Sequence, residues 1–262
     1  MIKKVKLFIN DNEKSKSIAT DLKNKLLEND FILAEDEFDL GISIGGDGSF
    51  LRMIKETNYS NNILYVGINT GTLGFAQEVS KDEIDVFLDN IKNNNYKIDE
   101  IGIQETKIIC EDKDYLFNSL NEIVVRDKQL NTLTLDILID NNKLEKYVGD
   151  GMLVSTSFGS TAYNLSFGGS IVYNTFHTLQ LTPVAPLNNK SYRNLLNSVI
   201  IPSSKLITMI SKNKDLLVTV DGDNIVLDNV ESIETTMSKK TIKCYRDNNY
   251  DFSKKINEKF LK

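Results

Sequence analysis

The residues best suited to chemistry are Gly45-Gly46-Asp47-Gly48-Ser49, reached directly from the apolar run Leu40-Gly41-Ile42-Ser43-Ile44. Glycines let a backbone come close to an oligophosphate, and amides at a helix start meet its charge. Asp47 is the odd member, because a carboxylate repels phosphates. It makes sense there if it binds Mg²⁺, accepts a proton from an attacking hydroxyl, or orients that hydroxyl. A tight turn also explains the segment, since Asp-Gly is a common turn pair. No Gly-Lys-Ser/Thr closes the loop, so it is not a P-loop. Gly45, Gly46 and Gly48 are the candidate phosphate contacts. Arg52, one helical turn on, either meets phosphate or pairs with an acid on the surface.

A second cluster, Val66-Gly67-Ile68-Asn69-Thr70-Gly71-Thr72-Leu73-Gly74-Phe75, is another strand ending in a glycine-rich loop. Asn69 and Thr70 offer neutral donors, and Phe75 either packs against a base or fills a core. The third runs from Gly149-Asp150-Gly151 through an apolar strand into Ser157-Phe158-Gly159-Ser160-Thr161-Ala162-Tyr163. Hydroxyls and exposed amides suit ribose and phosphate oxygens without adding charge. His177 is the only histidine and has no Cys or carboxylate at ligand spacing, so nothing in the sequence marks a metal site directly. It also leaves Ser-His-Asp hydrolysis without a nucleophile elbow.

The elements that must position these groups change character along the chain. Up to residue 98, strand and helix patterns alternate. Apolar runs at Val5–Ile9, Phe31–Leu33, Leu40–Ile44 and Ile63–Ile68 read as strands. Ile18, Ala19, Leu22, Leu26 and Leu27 fall at helical spacing, Ser49–Thr57 looks helical, and Ser80-Lys81-Asp82-Glu83 is a capping box before Ile84. That order predicts a parallel sheet covered by helices, with ligands at the carboxyl ends of its strands. From residue 99 the pattern becomes many short strands with turns, among them Asn141-Asn142 and a hairpin at Val220-Asp221-Gly222-Asp223. This predicts a layered β-sandwich. A weak helical pattern covers Phe252–Leu261, and its lysines read as a solvated face.

Composition bounds the partners. The 262 residues are 40% hydrophobic and 26% charged, with a net charge of −6. Such a chain is not drawn to nucleic acid or an anionic membrane, and binds anions only through local amides or a few placed cations. Cys110 and Cys244 cannot build a disulfide framework, which suits a reducing compartment. With no signal-peptide pattern and no apolar run of about eighteen residues, the expectation is a soluble cytoplasmic protein.

Taken in order, these motifs resemble the NAD kinase family. The resemblance is carried by Gly45-Gly46-Asp47-Gly48-Ser49-Phe50-Leu51, Asn69-Thr70-Gly71-Thr72-Leu73-Gly74-Phe75, Asn121-Glu122, Gly149-Asp150-Gly151, Gly159-Ser160-Thr161-Ala162-Tyr163 and Asp221-Gly222. It implies a bacterial-type NAD kinase that uses ATP or polyphosphate with Mg²⁺ or another divalent metal, the metal being carried mainly by ATP. It implies a two-domain fold, α/β over 1–98 and β-rich over 99–245, with a tail of about 246–262 returning to the first domain. NAD would lie between the domains, in a homo-oligomer, a tetramer or dimer. Asp47 would activate or orient the adenosine 2′-hydroxyl, with Gly46 and Gly48 keeping the loop close to the phosphates. Phe75, Thr161, Ala162 and Tyr163 would line the adenosine site, Asn121 and Glu122 would hold ribose and base, and Asp150, Ser166 and Ala185 would lie at the nicotinamide end. Two places depart from the pattern. Ser157 and Phe158 stand where the family has Pro and Thr or Ser, and Val148 stands where some bacterial relatives carry Arg.

Overall fold

A computed structural model describes residues 2–71 and 74–261; Thr72 and Leu73 of the second motif lie outside the described residues. The chain divides into two compact units, one formed by Met1–Ile101 with Lys240–Lys262 and the other by Gly102–Lys239.

The first unit opens with β1 (Lys4–Ile9), α1 (Glu13–Glu28), β2 (Ile32–Leu33), β3 (Leu40–Gly45), α2 (Asp47–Glu56), β4 (Leu64–Asn69), β5 (Val79–Ser80) and α3 (Ile84–Lys92). The order is β2-β1-β3-β4 and every pair is parallel. All six residues of β3 are buried, as a central parallel strand covered on both faces requires. In α1 the buried face is Ser15, Ala19, Leu22 and Leu26, whereas Leu27 is 57% exposed. Leu27 lies about 100° round the helix from Leu26, which turns it out of the apolar stripe. The helix α2 starts at Asp47 rather than Ser49, because Gly46 is extended and serves as its cap. It buries Phe50, Met53 and Ile54, worth roughly 5–8 kcal/mol together, and so holds Asp47 against the sheet. Ser80 and Glu83 form the capping box, and the capped turn is a short 3₁₀ segment ahead of α3.

The second unit takes up the chain through β6 (Lys97–Cys110), β7 (Asp114–Ser119), β8 (Glu122–Asp127), β9 (Leu133–Ile139), β10 (Asn142–Thr156), α4 (Tyr163–Ser166), β11 (Thr178–Pro186), β12 (Val199–Pro202), β13 (Ile207–Ser211), β14 (Leu216–Val220), β15 (Asp223–Leu227) and β16 (Val230–Arg246). The pairs among β8 to β15 are antiparallel, and β10 is the hub, meeting β9, β8 and β11 along its length. Alternate residues of these strands, including Ile123, Val125, Leu135, Ile137, Met152, Val154, Leu181, Met209 and Val218, meet in one core. The β9–β10 turn uses positive φ at Asp140 and Asn141, and the β14–β15 turn uses it at Asp221 and Gly222. Asn, Asp and Gly tolerate that geometry best.

The end of β16 belongs to the first unit, where Lys243 and Cys244 pair in parallel with Leu64 and Tyr65 of β4. Helix α5 (Phe252–Ile256) and a π-type turn over Asn257–Leu261 follow.

Candidate active site

Within the first unit, β2 lies to one side of β1 and β3 to the other, so the connections leave in opposite directions at the β1–β3 boundary. The carboxyl ends of strands at such a point form a natural crevice. The loop after β3 places Asp47 there, as the first residue of α2. Its Oδ2 accepts the Phe75 amide at 2.8 Å and its Oδ1 accepts the Ala76 amide at 2.9 Å. Gln77 Nε2 donates to the Gly46 carbonyl at 2.8 Å, so these three hydrogen bonds tie the Asp47 loop to residues 75–77. An ionised carboxylate has about four acceptor positions, so each oxygen keeps capacity for a hydroxyl. A Cβ on Gly45 would sit 2.3 Å from Ser49 Oγ, whereas one on Gly46 or Gly48 would meet nothing within 4 Å. Packing therefore explains the first glycine and leaves the other two facing open space.

The remaining sequence candidates of this unit are placed more plainly. Asn69 Oδ1 accepts the Gly71 amide at 2.9 Å, and the Thr70 amide donates to the Gly45 carbonyl at 3.3 Å. Arg52 lies 3.8 Å from Glu56 and donates to the Ile9 carbonyl at 3.3 Å. The Phe75 ring stacks on Phe260 at 5.7 Å and meets Phe252 edge-on at 5.6 Å.

A charged cluster behind Phe75 went unread in the sequence. Glu78 receives Lys255 Nζ at 2.8 Å and Arg246 Nη1 at 3.3 Å, and Arg246 Nε reaches Asp99 at 2.8 Å. Arg246 and Lys255 are buried, which corrects the solvated-face reading of the late lysines for Lys255, whereas Lys254 is exposed as that reading has it. Burial pushes the Lys255 pKa below its ordinary value, while Glu78 opposes the shift. Burial likewise works against the charge of Arg246, but Glu78 and its other neighbours outweigh it and raise its pKa. A cleft of about 610 Å³ opens beside this cluster, lined by Asn69, Gln77, Glu78, Tyr250, Lys255 and Lys259 among others.

In the second unit the organising residue is Asp221, in the turn between β14 and β15. Its carboxylate accepts the amides of Leu120 and Asn121 at 2.7 Å each and of Glu122 at 3.2 Å. Asp221-Gly222 is thus a hairpin turn that also fixes a segment a hundred residues away. On that segment sits the hydroxyl-rich turn. Thr156 donates its amide to the Asn121 carbonyl at 2.8 Å and its hydroxyl to the Leu120 carbonyl at 2.5 Å. Gly159 passes so close that a Cβ would lie 2.1 Å from the Asn121 oxygen. Glu122 is 7% exposed, its Oε2 has no hydrogen-bond partner, and its pKa is pushed up to about 8. Burial is the main cause, the Asp221 charge adds to it, and the Tyr163 amide opposes it. The Tyr163 hydroxyl accepts from Arg126 at 2.9 Å, with the guanidinium 5.7 Å over its ring. Arg126 is a further residue that gave no motif signal. Thr161 and Ala162 are half-buried beside Tyr163, and Ser166, Asp150 and Ala185 are exposed.

Sequence profiles described as the ATP-NAD kinase N-terminal domain and the ATP-NAD kinase C-terminal domain match residues 5–96 and 120–246. The chain belongs to the NAD kinase family. An NAD kinase of Finegoldia magna is 41% identical over 249 residues, covering 91% of this chain and 90% of the relative. An NAD kinase of Streptococcus pneumoniae is 34% identical over 235 residues, covering 88% of this chain and 86% of the relative. Among solved structures, yeast NADH kinase complexed with NADH superposes with a TM-score of 0.83 at 22% identity, over 99% of this chain and 87% of that one. An Archaeoglobus fulgidus NAD kinase in complex with ATP gives 0.74 at 22% identity, over 97% of this chain and 99% of that one. These two establish a common fold, the α/β domain followed by a large β-rich one.

Set against the NAD kinase pattern, the two unusual residues after Thr156 are both interior. Ser157 Oγ hydrogen-bonds the Phe176 carbonyl and accepts the Thr178 amide at 3.2 Å, tying the turn to the start of β11. Phe158 is 8% exposed and so belongs to the packing. Val148 is buried, with its amide on Asn194 Oδ1 at 3.0 Å and its carbonyl on Asn194 Nδ2 at 2.9 Å.

Proposed function

We propose that this NAD kinase family member transfers the terminal phosphoryl group of ATP to the adenosine 2′-hydroxyl of NAD, giving NADP and ADP, with polyphosphate as a further donor. The reading rests on family membership, on relatives named NAD kinase, and on solved relatives that hold NADH and ATP. The observation that carries it is the anchoring of Asp47 by the Phe75 and Ala76 amides at the crevice of the parallel sheet.

In the reaction the 2′-oxygen forms a bond to the γ-phosphorus, the bond to the β–γ bridging oxygen breaks, and the hydroxyl proton goes to Asp47. Phosphoryl transfer asks a protein mainly for positioning and charge neutralisation. Asp47 orients the hydroxyl, and the open space at Gly46 and Gly48 admits phosphate. Gly45, Asn69 and Thr70 are the further phosphate contacts we assign in the first unit, with Phe75 beside adenosine. In the second unit we assign Asn121, Glu122, Thr161, Ala162 and Tyr163 to adenosine, and Asp150, Ser166 and Ala185 to the nicotinamide end. Asp47 is the one carboxylate of the Gly-Gly-Asp-Gly loop, and among the described residues no group of three or more His, Cys, Asp or Glu is placed to hold a metal. That donor set fits Mg²⁺, or another divalent ion, arriving on the ATP phosphates as part of the substrate. We assign the enzyme to the cytoplasm, in keeping with two buried free thiols, and to a homo-oligomer, a tetramer or dimer. Among the described residues no helix is long and apolar enough to cross a membrane.

The test is NADP formation from NAD, ATP and Mg²⁺, run beside Asp47→Asn. Turnover by the wild type and none by a folded Asp47→Asn protein is the expected result. Near-normal activity in the variant removes Asp47 from the reaction, and a well-folded wild type that binds NAD without forming product removes the kinase reading.

A further inference from the structure

We infer that Lys255 and Phe260, in the last segment of the chain, are positioning residues for Asp47 that act through Glu78 and Phe75; the inference rests on Asp47 standing at the reacting hydroxyl. Both hydrogen bonds that orient the Asp47 carboxylate come from backbone amides of residues 75 and 76. The carboxylate therefore points wherever that short stretch of main chain is held. The 75–78 stretch is fixed in its middle by Gln77 Nε2 on the Gly46 carbonyl at 2.8 Å and by the Glu78 amide on the Gly67 carbonyl at 2.9 Å, while the Phe75 ring and the Glu78 carboxylate are held by side chains of the C-terminal return.

On one side the Phe75 ring is stacked by Phe260 at 5.7 Å and 17° and met edge-on by Phe252 at 5.6 Å. The Lys255 ammonium lies 5.6 Å from the same ring and 2.8 Å from Glu78 Oε2. A single buried cation thus grips the stretch at residues 75 and 78, the two ends flanking the amide that meets Asp47 Oδ1. Aromatic pairs and cation–π contacts of this kind fix direction as well as adding attraction. Arg246 also reaches Glu78, at 3.3 Å, but is shared with Asp99, so it holds residue 78 without touching Phe75. The carboxylate of Glu78 faces Arg246 and Lys255, and the ring of Tyr250 lies 4.7 Å from the first and 5.4 Å from the second.

The geometric consequence is a defect in orientation rather than in affinity. An ångström of misplacement at the reacting group costs on the order of 100-fold in rate. Lys255→Met keeps a chain of similar length over Phe75 and removes the charge that holds Glu78. Its kcat is expected to fall about 10- to 100-fold with unchanged KM for ATP, the readout that a shift of Phe75 beside adenosine would not move. Lys255→Arg, which restores the cation, is expected to recover most of the lost kcat. Because Lys255 is buried, a second variant guards against misfolding: Phe260 is 41% exposed, and Phe260→Ala removes only the stack on Phe75. A lowered kcat at unchanged melting temperature and unchanged KM for ATP in that variant supports the inference. A merely stabilising role would lower the melting temperature while leaving kcat per folded molecule intact, and that result overturns it, as does a loss confined to KM. Asp47→Asn run alongside separates the two ideas. If Asp47→Asn is dead while Lys255→Met and Phe260→Ala keep full kcat, the positioning inference alone fails; if Asp47→Asn is active, the catalytic reading fails first.

Discussion

Replacing Glu122 by Gln is expected to make the protein more stable at neutral pH and to leave it unchanged in mild acid. The folded-state pKa of Glu122 is about 8 against an ordinary value of 4.5, chiefly because the carboxyl is buried and secondly because Asp221 is close. The sign follows from which state holds the proton. Below about pH 4.5 the carboxyl is neutral in both folded and unfolded chains. Between 4.5 and 8 the unfolded chain releases its proton and the folded chain keeps it, so stability falls by about 1.4 kcal/mol for each pH unit. Above pH 8 both states are ionised and the deficit is constant. From pH 5.5 to 7.5 the deficit grows by roughly 2–3 kcal/mol, or about 5–10 °C in melting temperature for a chain of this size. Gln has the shape of the neutral carboxyl and never ionises. Melting curves of wild type and Glu122→Gln, taken in pairs across that range, cancel every other titrating group. The variant's advantage should already be about 1.4 kcal/mol at pH 5.5, widen steadily through 7.5, and level off only above pH 8. A gap that stays constant with pH would show that Glu122 ionises normally in the folded protein, and the burial argument would be wrong.

Other outcomes follow from the same geometry. Asp221→Ala removes the acceptor of three amides and is expected to cost about 3–5 kcal/mol in denaturant titration, while Asp221→Asn should lower the Glu122 pKa, so that the stability deficit is smaller and levels off at a lower pH. Gly159→Ala sets a Cβ 2.1 Å from a backbone oxygen and should cost about 3 kcal/mol or more, read as loss of soluble protein. Gly48→Ala is the opposite case: its Cβ meets nothing in the protein, and alanine suits a helix better by about 0.5–1 kcal/mol. Its melting temperature should therefore hold or rise while the KM for ATP or NAD worsens; unchanged kinetics would mean that nothing occupies the space beside the loop.

The parts of the fold legible in the sequence were those whose cause is local. The apolar runs of β1, β3 and β4, the helical stripe of α1 and the Ser80–Glu83 capping box all act within a few residues. The Asp47 loop was legible for the same reason, as a glycine cluster between a strand and a helix. What stayed hidden depends on contacts distant in sequence. Nothing near Asp221 announces that it ties down residues 120–122, since an Asp-Gly pair is already complete as a hairpin turn. Glu78, Asp99 and Arg246 carried no signal and Lys255 read as part of a solvated face, because a buried ion cluster has no periodicity. Phe75 carried two readings, base or core, and only the placement of Phe252 and Phe260 shows what surrounds its ring. The long strands β6, β10 and β16 mix polar with apolar residues and change partners along their length, so no single alternation marks them.

The return of β16 to the first unit has a consequence for how the protein is made. The outer edge of β4 is covered in two halves, by β5 at Ile68 and Asn69 and by β16 at Leu64 and Tyr65. The β5 half is available early, but Lys243 and Cys244 leave the ribosome only after all of the 102–239 unit. Domains form as they emerge, at about 5–20 residues per second. The middle unit is continuous in sequence and is complete about 10–40 s after the Asp47 loop has appeared, while the first unit still has half an open strand edge. Translation order therefore places the assembly of the proposed catalytic carboxylate last. A nascent chain that stalls before residue 240 carries every motif from Gly45 to Gly222 and lacks the strand that closes the sheet beneath them, leaving a sticky edge for chaperones or proteases to find.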